Sequence, residues 1–233
     1  MSVFAIADTH LSLSVNKPMD SFDGWNDYVK RLEKNWNSVV EKDDTVVVAG
    51  DISWAMNFEE LKKDFEFLNS LNGTKILIKG NHDYWWNTKT KIDKFISENN
   101  FDTLKILFNN SYDVEDVSIC GSRGWMMETE TEHDEKVLNR EVGRLELSLK
   151  DAKSTEKIVF LHYPPVTVDN ECEEITKVLR ENGIKNCYYG HLHGMAAKYG
   201  YEGEKNGIKY KLISADRLSF TPLLVKKLLK SCN

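Results

Sequence analysis

Nine polar side chains stand where short apolar runs stop. The run "VFAIAD" leads into Asp8 and His10, "TVVVAGD" closes on Asp51, and "KILIKGN" opens onto Asn81, His82 and Asp83. Further on, "KIVFLHY" carries His162, and "NCYYGH" leads to His191 and His193. Five of the six histidines belong to this set. Carboxylates, an amide carbonyl and imidazoles make a mixed oxygen and nitrogen ligand set, suited to Mn, Fe, Zn or Co rather than to a thiolate zinc site. They exceed what one ion needs. Two cations about 3.5 to 4 Å apart, sharing a carboxylate, clamp a phosphoryl group for in-line displacement and lower the pKa of a bound water.

Taken singly, each residue has an ordinary structural explanation. An Asp at a strand end is usually a turn former or helix cap, and a lone His is usually hydrogen-bonded scaffolding. The pair in "GHLHG" is more specific, because residues two apart in extended chain point to one side and can reach one centre. The ordered series D-x-H, GD, GNHD, H and GHxH, each closing an apolar run, is what the structural reading does not explain.

The runs that must position these groups read as strands buried on both faces; "VSICGS", "KYKLISAD" and "TPLLVKK" extend the set. Helical spacing falls at about Trp25 to Val40, Phe58 to Leu71 and Thr90 to Asn99, between the early strands. Alternation of strand and helix predicts parallel pairing in this half, with the strands' carboxyl ends facing a common crevice. Residues 130–150 place Val137, Leu138, Val142, Leu145 and Leu149 at helical spacing, and Cys172 to Asn182 forms another helix stopped by Gly183. From Asn100 to Gly124 and after Gly194, closely spaced runs predict hairpins and antiparallel pairing, so the sheets are mixed. No Pro/Gly/Ser-rich linker divides the 233 residues, and a single domain over 1–233 is expected.

Composition narrows the partners. A hydrophobic content of 41% with 29% charged residues is that of an ordinary globular chain. The net charge of −6 argues against a long basic groove, so nucleic acid is not the expected partner and an anionic substrate must be attracted locally. Cys120, Cys172, Cys187 and Cys232 show no CxxC spacing, which fits a reducing compartment. The start, "MSVFAIADTH", has neither a basic leader nor an apolar run long enough for a signal or membrane span, and a cytoplasmic location is expected. Oligomeric state is left open.

The series Asp8-x-His10, Gly50-Asp51, Gly80-Asn81-His82-Asp83, His162 and Gly190-His191-x-His193 resembles the calcineurin-like metallophosphoesterase superfamily. The resemblance implies an α/β fold, a four-layer α/β/β/α sandwich of two mixed β-sheets flanked by helices. It also implies a dinuclear phosphohydrolase acting on a small phosphomonoester or phosphodiester. By that resemblance Asp8, His10 and His193 serve one ion, Asn81, His162 and His191 the other, and Asp51 bridges them. The cofactors would be two divalent or trivalent ions, Mn, Fe or Zn. His82 would stay off the metals and serve the phosphate and leaving oxygen, with Asp83 holding its imidazole; a carboxylate partner keeps a proton on such a ring. The alternatives are a non-catalytic metal-binding scaffold of the same fold, and an exonuclease, which the acidic balance disfavours.

Departures from the superfamily's subclasses narrow the class. Gly50-Asp51 continues Ile52-Ser53-Trp54-Ala55 where Ser/Thr phosphatases place an arginine, and Trp54 stands where purple acid phosphatases place a ligating Tyr. A phosphate-binding cation must come from elsewhere. Arg123, between a strand and Gly124 in "CGSRGW", is the first candidate, with Lys17 and Arg217 behind it. Trp25, Trp54, Tyr84, Trp85, Trp86, Trp125 and Tyr163 lie near the motifs and divide between core packing and pocket wall.

Overall fold

The computed structural model describes residues 1–125 and 132–228. The first half runs β1 (Ser2–Ile6), α1 (Tyr28–Val39), β2 (Thr45–Ala49), α2 (Phe58–Ser70), β3 (Thr74–Ile78), α3 (Lys89–Glu98) and β4 (Leu104–Ile106). The second runs β5 (Tyr112–Val114), β6 (Val117–Ser122), α4 (Glu132–Asp151), β7 (Glu156–Leu161), α5 (Glu173–Glu181), β8 (Asn186–Tyr189), β9 (Gly203–Lys205), β10 (Ile208–Leu212) and β11 (Leu223–Lys227). Helices fall where the spacing predicts them, to within about one turn. Residues 130 and 131, expected in α4, and Cys232 lie outside the described residues.

Local chemistry accounts for the element ends. Asn57 caps α2 by accepting from the Glu60 backbone N–H at 3.0 Å, while the Glu60 carboxylate accepts from Met56 N–H at 2.8 Å. At the end of α5, Gly183 takes φ +67°, and Ile184 N–H closes back on the Leu179 carbonyl at 3.0 Å. Lys75, fully buried in β3, donates its ammonium to the Leu71 and Gly73 carbonyls at 2.6 and 2.8 Å. That gives carbonyls at the C-terminal end of α2, which lack helical partners, a buried donor.

Among the described residues, one sheet has five strands in the order β11-β1-β2-β3-β4 and the other six in the order β5-β6-β7-β8-β10-β9. The strands β1 to β4 are parallel with β11 antiparallel beside β1, while β5 and β9 run antiparallel at the edges of the second sheet. Both sheets are mixed, as expected. The hairpins at β5/β6 and β9/β10 agree with the sequence reading, but β4 does not form one. It pairs in parallel with β3 after α3, because the residues before it close a helical crossover rather than a tight turn. After β10, β11 likewise returns to the first sheet.

Alternation along each strand feeds two cores at once. Val47 and Ala49 of β2 join Ile76, Ile119, Ile158 and Phe160 between the sheets, while Val46 and Val48 face Leu32, Trp36, Leu61 and Phe65 of α1 and α2. On the far side, Cys120, Val159 and Leu161 pack against Leu145 of α4 and Leu179 of α5. Helix, sheet, sheet and helix stack as four layers, each buried valine or leucine contributing about 1.5 to 3 kcal/mol.

The two sheets also meet by backbone at one end. Ala7 N–H donates to the Ile213 carbonyl at 2.8 Å and the Ala7 carbonyl accepts from Ala215 N–H at 2.9 Å, so the ends of β1 and β10 are joined there. A side chain on Gly190 would put its Cβ 2.5 Å from Ala7 Cβ and 2.8 Å from Asp8 Oδ2. Only glycine allows that approach.

Candidate metal centre

All nine predicted residues follow strands at this joined end. Asp8 and His10 follow β1, Asp51 follows β2, Asn81 to Asp83 follow β3, His162 follows β7, and His191 and His193 follow β8. Backbone hydrogen bonds lock the loops together: Asp8 N–H to the Gly50 carbonyl and His10 N–H to the Asp51 carbonyl, each 2.9 Å. Four of the residues have backbones in the left-handed region, with φ of 57° at Asp8, 43° at His10, 50° at Asp51 and 71° at His191. Each non-glycine residue held there costs on the order of 1 kcal/mol, a strain typical of functional sites.

Two groups of ligand atoms share Asp51. Atoms of Asp8, His10 and Asp51 lie within 4.8 Å of one another, and so do atoms of Asp51, His162 and His191. His10 Nε2 is 3.8 Å from Asp51 Oδ2, and His162 Nε2 is 3.5 Å from Asp51 Oδ1. The His193 ring lies 5.3 Å from that of His10, and His162 Nε2 is 2.7 Å from Asn81 Oδ1.

The donor set suits cations. Burial, followed by the neighbouring Asp51, pushes the Asp8 carboxyl well above its usual range. Burial pulls His162 and His191 down to about 3, and burial with the surrounding histidines pulls His10 down as well, so these rings are neutral and offer lone pairs. Both ring nitrogens of His10 are buried without a partner. When His162 Nδ1–H donates to the Ala49 carbonyl at 3.1 Å, its Nε2 lone pair faces the Asn81 oxygen, two acceptors that a shared cation would reconcile.

His82 sits at the rim. Its backbone N–H donates to Asp51 Oδ1 at 2.8 Å, and its Nε2 lies 4.0 Å from Asp51 Oδ2, with the ring about one-third exposed. The partner of Nδ1 is the Tyr84 hydroxyl at 3.2 Å. That corrects the expected role of Asp83. Its Oδ1 accepts from Ile52 N–H at 2.9 Å, Ser53 N–H at 3.2 Å and Trp85 Nε1–H at 3.1 Å, and its Oδ2 accepts from Gly80 N–H at 2.7 Å. Neighbouring side chains leave the backbone in different directions, so Asp83 turns inward to knit two loops while His82 turns outward.

The candidate cations separate. Arg123 points its guanidinium to the buried Glu141 at 3.4 Å, which Arg144 also contacts at 2.5 Å, and it lies over the Trp125 ring. Its carbonyl accepts from His162 N–H at 3.1 Å, so its backbone braces the centre. Arg217 pairs with Glu202 at 3.1 Å. Lys17 lies over the Trp54 ring, 4.7 Å from its centroid, and Trp54 stacks on His10 at 4.9 Å. Trp85 is core, buried on Phe65, whereas Tyr84 is half exposed beside His82.

Sequence reasoning missed Asp64, whose carboxylate receives the Ser53 hydroxyl and Leu13 N–H at 2.8 Å, fastening the loops after β1 and β2 to α2. Its signal was a charge on the apolar face of α2, among Leu61, Phe65 and Leu68. It also missed Met19, Phe22 and Met195, which line a cavity of about 570 Å³ beside His10, His82 and His193.

Two mixed sheets with a buried carboxylate and imidazole cluster at their joined end define an α/β protein built around a candidate metal centre. The chain belongs to the calcineurin-like phosphoesterase family, whose model matches residues 1–195. It is 28% identical over 222 residues to the glycerophosphodiester phosphodiesterase GpdQ of Enterobacter lignolyticus, covering 82% of this chain and 70% of that one. It is 37% identical over 86 residues to the uncharacterized protein MJ1445 of Methanocaldococcus jannaschii, covering 35% of this chain and just under half, 46%, of the relative. Two solved structures share the fold: phosphopantetheinyl hydrolase PptH of Mycobacterium tuberculosis, at TM-score 0.56 and 14% identity over 100% of this chain and 97% of that one, and the protein of unknown function AQ665 of Aquifex aeolicus, at 0.52 and 18% over 95% and 94%. No helix among the described residues is long and apolar enough to cross a membrane.

Proposed function

We propose that the chain hydrolyses a small phosphomonoester or phosphodiester with two metal ions at this centre. The observation that carries the reading is the carboxylate of Asp51 shared by two groups of ligand atoms. Asp8, His10 and His193 would hold one ion, and Asn81, His162 and His191 the other, with Asp51 common to both. Bound there, Mn, Fe or Zn would supply positive charge for the phosphoryl oxygens and activate a water.

The residues of the chain then divide the remaining work. His82, outside both ligand groups, is positioned to give a proton to the leaving oxygen, and Tyr84 at its Nδ1 fixes the ring. In the overall reaction a P–O bond forms to the water oxygen and the P–O bond to the leaving group breaks. The leaving oxygen takes its proton from His82, which regains one from solvent. Lys17, beside Trp54, is the cation best placed near the rim to meet a non-reacting phosphate oxygen.

The relative named as a glycerophosphodiester phosphodiesterase supports including diesters among the substrates. The test is turnover of 4-nitrophenyl phosphate, bis(4-nitrophenyl) phosphate and glycerophosphodiesters with added Mn²⁺, alongside elemental analysis. Activity with about two metals per chain, both lost in Asp51→Asn, is expected. Metal-loaded protein inert on all three substrate classes would overturn the reading.

A further inference from the structure

We infer that the leaving group of the substrate carries an apolar moiety, a hydrocarbon chain or aromatic ring, seated in the cavity beside His82. The inference deepens the phosphoesterase reading and rests on it for the direction in which the leaving group points. The cavity, about 570 Å³, has His10, His82 and His193 on one side and Met19, Phe22, Trp54 and Met195 on others. Its size is that of a small-molecule site.

Its chemistry is unlike that of a site meant for a sugar or a bare polyol. Asp23 is the sole carboxylate among its described lining residues, and the neighbouring Lys17 is drawn onto Trp54. At the mouth, Phe22 is 57% and Met195 82% exposed. Large apolar side chains grouped around an entrance mark a surface that gains by being covered. Trp54 is occupied by His10 on one side and Lys17 on its ring, and Trp25 is buried, so the free apolar contacts are those of Phe22 and Met195. Methionine adapts its shape to what it meets.

The occupant follows from the position of His82. A group that protonates the leaving oxygen must lie on the leaving group's side of phosphorus, and His82 lines this cavity. Whatever is attached to that oxygen therefore extends between Phe22 and Met195.

The experiment uses 4-alkylphenyl phosphates and their methyl diesters, from methyl to hexyl, which lengthen the apolar group at nearly constant leaving-group acidity. A naphthyl arm separates ring from chain. The specificity constant is expected to rise by roughly threefold per methylene until the cavity is filled. The hexyl-to-methyl ratio should fall at least tenfold in Phe22→Ser and Met195→Ser. Binding of hexyl- and methylphosphonate to the metal-loaded protein, read by tryptophan fluorescence, gives a second measure independent of turnover. Hydrolysis of all esters with no dependence on chain length or ring size would overturn the inference while leaving the phosphoesterase reading intact. If no ester is hydrolysed, tighter binding of hexylphosphonate that Met195→Ser removes supports the apolar cavity and sinks the phosphoesterase reading; equal binding of both phosphonates overturns the inference.

Discussion

Gly80 packs against Asp51 so closely that a Cβ on Gly80 would overlap both the backbone nitrogen and Oδ1 of Asp51. The carboxylate shared by the two ligand groups is thus positioned by the absence of a side chain in the loop after β3. Gly80→Ala is expected to displace Asp51, reduce the metal content measured by elemental analysis, and lower stability by about 1 to 3 kcal/mol. Gly143 in α4, with open space around it, serves as the control: Gly143→Ala should keep its metals and gain up to about 1 kcal/mol.

His82→Ala is expected to reduce kcat by roughly 10² to 10⁴, with metal content unchanged, because the ring stands outside both ligand groups. The loss should be largest for alkoxide leaving groups and smallest for 4-nitrophenolate, which departs without a proton. Rates plotted against leaving-group pKa check this. Tyr84→Phe, which removes the hydroxyl at Nδ1, should show the same trend at smaller size.

Asp83 makes a different prediction. Its carboxylate receives four buried N–H groups from two loops, and Asp83→Ala would leave them without their acceptor. Equilibrium urea unfolding should show a loss of about 3 kcal/mol or more. Were Asp83 instead the orienting partner of His82, Asp83→Asn would reproduce the leaving-group dependence of His82→Ala; the geometry predicts that it does not.

Lys75 gives the fold a pH dependence remote from the metal centre. Burial pulls its ammonium from the usual 10.5 down to about 7. Between those values the unfolded chain holds a proton that the folded chain has released, so stability rises with pH across the window and is flat below it. Relative to Lys75→Met, the wild-type chain should gain about 3 kcal/mol between pH 7 and 9.5. Urea midpoints of the two proteins at both pH values provide the measurement.

The site was legible because every candidate ligand closes an apolar run, and parallel strands deliver their carboxyl ends to one edge. The strand runs, α1 to α3 and the β5/β6 and β9/β10 hairpins were legible for the same reason: their period is written locally. What was hidden depends on distant partners. The acceptor role of Asp83 is set by Ile52 and Ser53, some thirty residues earlier, and the resemblance that paired it with His82 carries no sign of those partners. Arg123 read as a free cation because Glu141, the buried carboxylate it shares with Arg144, comes some eighteen residues later, within α4. The parallel placement of β4 and the return of β11 to the first sheet are likewise decided by packing, not by the residues within those strands.

The left-handed backbones at Asp8, His10, Asp51 and His191 bear on how the protein can vary. Aspartate, asparagine and histidine are the side chains most tolerant of that conformation apart from glycine. They are also the residues that bind hard and borderline metals. Two independent filters, one of backbone geometry and one of coordination chemistry, thus admit nearly the same short list at these four positions. A substitution that escapes one filter meets the other: glycine would relax the turn and lose the ligand, while glutamate or cysteine would keep a ligand atom and strain the turn. The centre is therefore a region of narrow substitutional freedom, whereas the cavity wall of Phe22 and Met195, under neither filter, can change its residues and with them the molecules it admits.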